Sequence, residues 1–154
     1  MSPEPESSEL QTVQSSPIRF PAGLIGFDEW KTFILASHAA GGPLRLLQSL
    51  DDPLVSLIVM DPRLIVPDYD VTLQPEDSQA LCITSDCAPV LSSEISAYCI
   101  LCVQDEPLDV TANLFSPLIV NWQAGRGRQI ILSNSSYDTR HCVARDIVEP
   151  GKSA

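Results

Sequence analysis

Thirteen prolines, set against seven glycines and two lysines, cut this chain into apolar runs too short for a helical bundle. Proline lacks the N–H that a helix interior needs and clashes with the preceding turn, yet it is tolerated at strand ends, edges and turns. The runs between the breaks have a recurrent form. RFPAGLIGF (Arg19 to Phe27), LLQSLDDP (Leu46 to Pro53), DPRLIVPDY (Asp61 to Tyr69) and NLFSPLIVN (Asn113 to Asn121) are each apolar and punctuated by Pro, Gly, Asn or Asp. QIILSNSSYDTRH (Gln129 to His141) closes the series. Strands and their corners are written this way.

Strands are expected at Pro17 to Phe20, Lys31 to Ser37, Leu44 to Ser49, Leu54 to Met60 and, briefly, Val71 to Leu73. Four more are expected at Ala97 to Gln104, Asp109 to Leu114, Pro117 to Trp122 and Arg128 to Ser133. Leu54 to Met60 is nearly all apolar, which suits a central strand buried on both faces. Gly23 and Gly26 bracket a turn anchored by Phe27. Asp52 and Pro53 form a corner, and Asn113, Pro117 and Asn121 read as corner residues whose Asn side chains bond the backbone. Ala124 to Gly127 reads as the last hairpin loop. Pro75-Glu76-Asp77 opens the one convincing helix, because Pro suits the first helical position and acids favour the first turn. That helix is expected to reach about Ile83, and the stretch from Val90 to Ile95 leaves room for a second helical turn. The fold class is therefore mainly β: a small single-domain β-barrel-like fold, or a sandwich, with one short helix. Residues 1–14 have the composition of a disordered acidic tail, 15–143 form the domain, and 144–154 read as a flexible tail.

Charge narrows the partners. The formal net charge is −11, and residues 15–143 alone carry seven Arg or Lys against fifteen Asp or Glu, a balance of −8. Such a surface repels phosphate backbones, so direct nucleic-acid binding is not expected. It attracts a basic protein. No positively charged, apolar leader opens the chain, and no run approaches the roughly 20 apolar residues that span a bilayer, so a cytoplasmic protein without membrane contact is expected.

Reactive chemistry is hard to find. Cys99 and Cys102 form a C-x-x-C inside a β-like run, where positions i and i+3 face opposite sides and cannot share a metal. Cys82 and Cys87 have no partner pair at metal spacing, so neither metal nor cofactor is expected. His38 and His141 belong to no recognisable catalytic pattern. The acidic pairs Asp51-Asp52, Asp68 with Asp70, and Asp105-Glu106 each lie beside a Pro, as solvated turns do. Gly125-Arg126-Gly127-Arg128 lacks the Lys-Ser/Thr of a phosphate loop and reads as a hairpin tip.

Five motifs in order resemble one family, the FliW flagellar assembly factors. They are Phe20 to Phe27, Leu47 to Pro53, Pro67 to Tyr69, Asn113 to Pro117, and Tyr137 with Arg140. The resemblance spans about residues 17–142. The chain departs from it at Leu46, where an aromatic is common, across the longer 84–97 loop, and at Thr111-Ala112. The resemblance implies a β-barrel-like, non-enzymatic factor. It implies two partners, newly made flagellin and the translational regulator CsrA, whose repression of flagellin mRNA such factors relieve allosterically.

Partner contacts are expected on corners and edges, because the apolar core strands have no face to spare. The segment Asp61 to Asp70 is the candidate, with Asp61, Asp68, Tyr69 and Asp70 as its contact residues. Prolines stiffen it, and Tyr69 is an anchor type common at interfaces. The other reading has Tyr69 filling a core gap. Two other classes fit the composition: a small barrel enzyme with a dispersed Asp/Asn/Tyr site, and a chaperone or scaffold for another secreted protein.

Overall fold

The computed structural model describes residues 12–38, 42–83, 91–92, 94–105, 108–133 and 135–143. Among them run nine strands: β1 (Thr12–Gln14), β2 (Ile18–Arg19), β3 (Thr32–His38), β4 (Arg45–Ser49), β5 (Ser56–Met60), β6 (Ile95–Asp105), β7 (Leu108–Asn121), β8 (Arg126–Gln129) and β9 (His141–Cys142). One helix, α1 (Pro75–Ala80), and a 3-10 turn at Pro62–Leu64 lie between β5 and β6.

The strands β3, β2, β8, β7, β6, β5 and β4 are neighbours in that order, and a further pairing of β3 with β4 closes them into a seven-stranded barrel. This is the mainly β, barrel-like fold with one short helix that the sequence predicts. β1 extends along β3, and β9 lies against β7. All pairings are antiparallel except β2 with β8, which run parallel and meet at Arg19 and Arg126.

Alternation along the strands builds two cores. One fills the barrel with Ile18, Phe20, Phe33, Leu35, Leu47, Val59, Leu118 and Val120. The other lies on the outer face of β5, β6 and β7 and includes Met60, Ala97, Cys99, Leu101, Ala112 and Ile119. The segment following β5, Leu81 at the end of α1, and the chain after β8 cover it through Tyr69, Val71, Ile130 and Leu132. Val59 and Met60 therefore face different cores, and both are fully buried. Phe20 and Phe33 meet edge-on at 5.4 Å inside the barrel.

The β2–β8 seam needs a glycine. A Cβ on Gly127 would come within 2.5 Å of the Phe20 ring, so only hydrogen lets this ring lie against β8. Gly23 has a related constraint at the turn after β2: its φ is +70° and a Cβ there would meet the Asp28 backbone at 2.4 Å.

Several local expectations are corrected. β1 falls within the stretch expected as a tail, because Thr12–Gln14 pair with Ala36–His38. Leu54 is 92% exposed, and β5 starts two residues later, since the Asp52 corner continues through Val55. Val71–Leu73 forms no strand, although Val71 is buried. α1 ends at Ala80, and the helical turn expected around Val90 to Ile95 falls partly outside the described residues, with Ile95 itself in β6. The two strands expected at 109–122 are one, β7, which steps away from β6 over Leu114 to Pro117. Arg126 and Gly127 lie in β8 rather than at a hairpin tip. Phe27 does not anchor its turn inward; it is half exposed and stacks on Trp30. The expected tails at 1–11 and 144–154, and Cys87, lie outside the described residues.

Cys99 and Cys102 differ as alternation demands: Cys99 is buried and Cys102 exposed. Burial pushes the Cys99 thiol up to about 12, and the thiol donates to the Met60 carbonyl at 3.4 Å. In the native protein a thiol reagent at pH 8 should modify Cys102 and leave Cys99 untouched until denaturant is added, as mass spectrometry of the labelled peptides would reveal. Gly127→Ala should lower stability by about 1–3 kcal/mol through overpacking against Phe20, read as a lower urea midpoint with an unchanged m-value.

Candidate binding surface

The segment between β5 and α1 is held at both ends. Asp61 caps the 3-10 turn, its carboxylate accepting from the Arg63 amide at 2.9 Å and pairing with the Arg63 guanidinium at 3.3 Å. Tyr69 lies further along, 4% exposed, with its hydroxyl donating to the Leu114 carbonyl at 2.6 Å. Its ring lies 4.5 Å from that of Tyr137, whose hydroxyl accepts from the Asp70 amide at 3.0 Å. Two tyrosines thus clamp this segment to the β7 step and to the chain after β8.

Tyr69 is therefore corrected from the expected contact set: a ring buried in the outer core has no surface to offer. Asp68 and Asp70 are exposed, Asp61 is partly exposed, and Leu64 is half exposed on the same segment. Desolvation of the ring pushes the Tyr69 hydroxyl far above its ordinary value, so it stays a neutral donor.

The corner residues hold backbone. The Asn113 side-chain Oδ1 accepts from the amides of Phe115 and Ser116 at 3.1 and 3.0 Å, which shapes the β7 step before Pro117. Asn121 is buried and donates to the Leu81 carbonyl at 2.8 Å, tying the end of α1 to the barrel. Asp52 accepts from Leu54, and the buried Ser49 hydroxyl accepts from both Asp51 and Asp52. Asp51 in turn accepts from the amides of Lys31 and Thr32, and those two bonds hold its carboxyl below the usual range. Gly26, like Gly23, has positive φ.

Two grooves adjoin on one side of the barrel. The larger, about 590 Å³, lies between the 22–26 loop, the start of α1 and residues 128–131. The smaller, about 420 Å³, runs from Asp70 to Tyr137 and shares Gln74 and Ile131 with the first. The grooves are rimmed by Asp28, Asp70 and Glu76. Arg128 is the cation lining them among the described residues, and Asp77 engages it at 2.8 Å in a partly buried pair. This pair joins residues 51 apart in sequence and was invisible there. Asp77 read only as a first-turn acid, which it also is, since it accepts from the Gln74 amide. No three His, Cys, Asp or Glu side chains converge as metal ligands among the described residues. The surface offers acids, apolar side chains and backbone groups, which suits the binding of another chain.

The model of the family described as "FliW protein" matches residues 4–143. The chain belongs to the FliW family. A flagellar assembly factor FliW of Syntrophomonas wolfei is 37% identical over 86% of this chain and 81% of its own length. Another, from Thermotoga neapolitana, is 30% identical over 90% of both chains. A solved structure described as the crystal structure of the flagellar assembly factor FliW superposes with a TM-score of 0.71 at 32% identity, covering 82% of this chain and 84% of that one. The FliW match runs through both tyrosines, the β7 step and β8, so the grooves belong to the family's domain rather than to an appendage.

Tyr69→Phe should cost about 1 kcal/mol by removing the bond to Leu114. It should also change the alkaline limb of stability. Because folding raises the Tyr69 pKa above its ordinary 10, the contribution is complete below about pH 10 and is lost as pH climbs toward the folded value. Wild type should therefore lose stability above pH 10 more steeply than Tyr69→Phe in urea titrations at stepped pH.

Proposed function

We propose that this chain is a cytoplasmic flagellar assembly factor that acts by binding, without catalysis or cofactor. Its partners are flagellin and the translational regulator CsrA, and its capture of CsrA relieves repression of flagellin mRNA translation. Export of flagellin then frees the factor to bind CsrA again. The observation that carries this reading is the match to the FliW family along the whole barrel, from residue 4 to residue 143. The acidic surface supports it, since an RNA-binding regulator presents basic groups. No helix among the described residues is long and apolar enough to cross a membrane.

The acids of the clamped segment, the exposed Asp68 and Asp70 with the partly exposed Asp61, are the proposed contacts for the basic partner. Being held by Tyr69 and Tyr137, the segment loses little entropy on binding. Size-exclusion chromatography of the chain with its cognate flagellin and CsrA tests the reading directly: co-elution with each is expected, and co-elution with neither overturns it. Association with CsrA should slow by about tenfold between roughly 50 and 500 mM salt, as electrostatically steered encounters do. Asp68→Lys with Asp70→Lys should slow association at low salt while leaving the melting temperature within about 2 °C of wild type, because both side chains are exposed. A salt-independent rate would show that apolar contact and shape govern the encounter.

A further inference from the structure

The extended chain that continues β8 has an edge that nothing among the described residues fills. Ile130 and Leu132 donate to the β7 carbonyls of Pro117 and Phe115, at 3.0 and 2.9 Å. Alternation then turns the backbone groups of Gln129 and Ile131 the other way, toward the side that β2 occupies lower down. β2 pairs with β8 only at Arg19 and Arg126, and the chain then swings out through Pro21 and Ala22 into the 22–26 loop. The space it vacates is the larger groove. Neither the N–H nor the C=O of Ile131 has a backbone partner among the described residues.

The walls are suited to a strand. Ile25 and Ile131 are 53% and 52% exposed on either side of the groove. The 22–26 loop is tied to this side of the barrel through Gln129, whose side chain accepts from the Ile25 amide at 2.9 Å and donates to the Ser116 carbonyl at 3.1 Å. Asp28 and Glu76 stand at the rim with no cation paired to them among the described residues, while the charge of Arg128 is engaged by Asp77. An open strand edge, apolar walls and an acidic rim together select one kind of occupant.

We infer that the groove beside Gln129 to Ile131 takes an extended segment of a partner protein, added to β8 as a strand, with alternating apolar and basic residues. Its backbone pairs with Ile131, its apolar side chains lie against Ile25 and Ile131, and its Lys or Arg side chains reach Asp28 and Glu76. The site deepens the proposed function and rests on it in that the segment belongs to a protein partner.

The probe is a capped peptide, Val-Lys-Val-Arg-Val-Lys, with a Glu-for-Lys/Arg version as control. Amide shifts in isotope-labelled protein should localise to residues 129–133 and 22–28, and the acidic control should bind at least about tenfold more weakly. Ile131→Pro removes the outward N–H without touching the bonds to β7, and should weaken peptide binding at least about tenfold, while Ile131→Val should bind like wild type. If the proline variant does not fold, Asp28→Lys with Glu76→Lys serves instead, and should abolish the preference for the basic peptide. Equal binding of both peptides, shifts elsewhere, or binding unchanged in these variants would overturn the inference. So would a concentration-dependent dimer in sedimentation that Ile131→Pro abolishes, since the edge would then serve a second copy of this chain. Full-length flagellin and CsrA separate the two readings. If both bind wild type and Ile131→Pro equally, the groove is not their site and the function stands. If neither binds wild type, the function fails independently of where the peptide maps.

Discussion

The barrel depends on one short parallel contact. β2 and β8 meet at a single residue pair, Arg19 with Arg126, supported by the Arg19 amide donating to the Gly125 carbonyl at 2.9 Å. Without it the other strands would form an open, curled sheet with two edges and a half-exposed interior. The contact is short because Phe20 dives inward immediately after it, packing on Gly127 and Phe33. The same residue that fills the barrel therefore pulls β2 away from β8 and leaves the groove beside Gln129 and Ile131. Core packing and an available strand edge have one cause.

Around this barrel, side chains stand in for regular structure. The stretch from Asp61 to Gln74 has little more than one 3-10 turn, yet it covers the outer core. Its order comes from hydrogen bonds between side chains and distant backbone, Tyr69 to Leu114 and Tyr137 to Asp70, and Asn121 to Leu81 does the same for the end of α1. Buried polar groups of this kind are costly when unpaired and specifying when paired. They hold an irregular surface in one shape.

How much of this was written in the sequence depends on range. Short apolar runs broken by Pro and Gly announced the strands, and Pro75-Glu76-Asp77 announced the helix, because those signals act within a few residues. Leu54 misled because hydrophobicity marks a candidate strand residue without saying where the preceding corner ends. Pro117 was read as separating two strands; β7 instead runs through it, since the Asn113 side chain holds the backbone of Phe115 and Ser116 where β6 lets go. Tyr69 had two readings, and the choice lay 45 residues away at Leu114. The Asp77–Arg128 pair, the role of Gln129 and the groove itself follow from which strands become neighbours, and no local pattern encodes that.

The β2–β8 contact also orders events during synthesis. Its two halves lie roughly a hundred residues apart, so β2 emerges from the ribosome long before β8 is made. β3, β4 and β5 can pair through short connections as they appear, but the ring cannot shut until the chain beyond Gly127 is free. Throughout that interval Phe20 has Phe33 beside it but lacks the wall that Gly127 supplies, and the inner face of the growing sheet lies open to water. A barrel closed this way carries exposed apolar surface until its last strands are made.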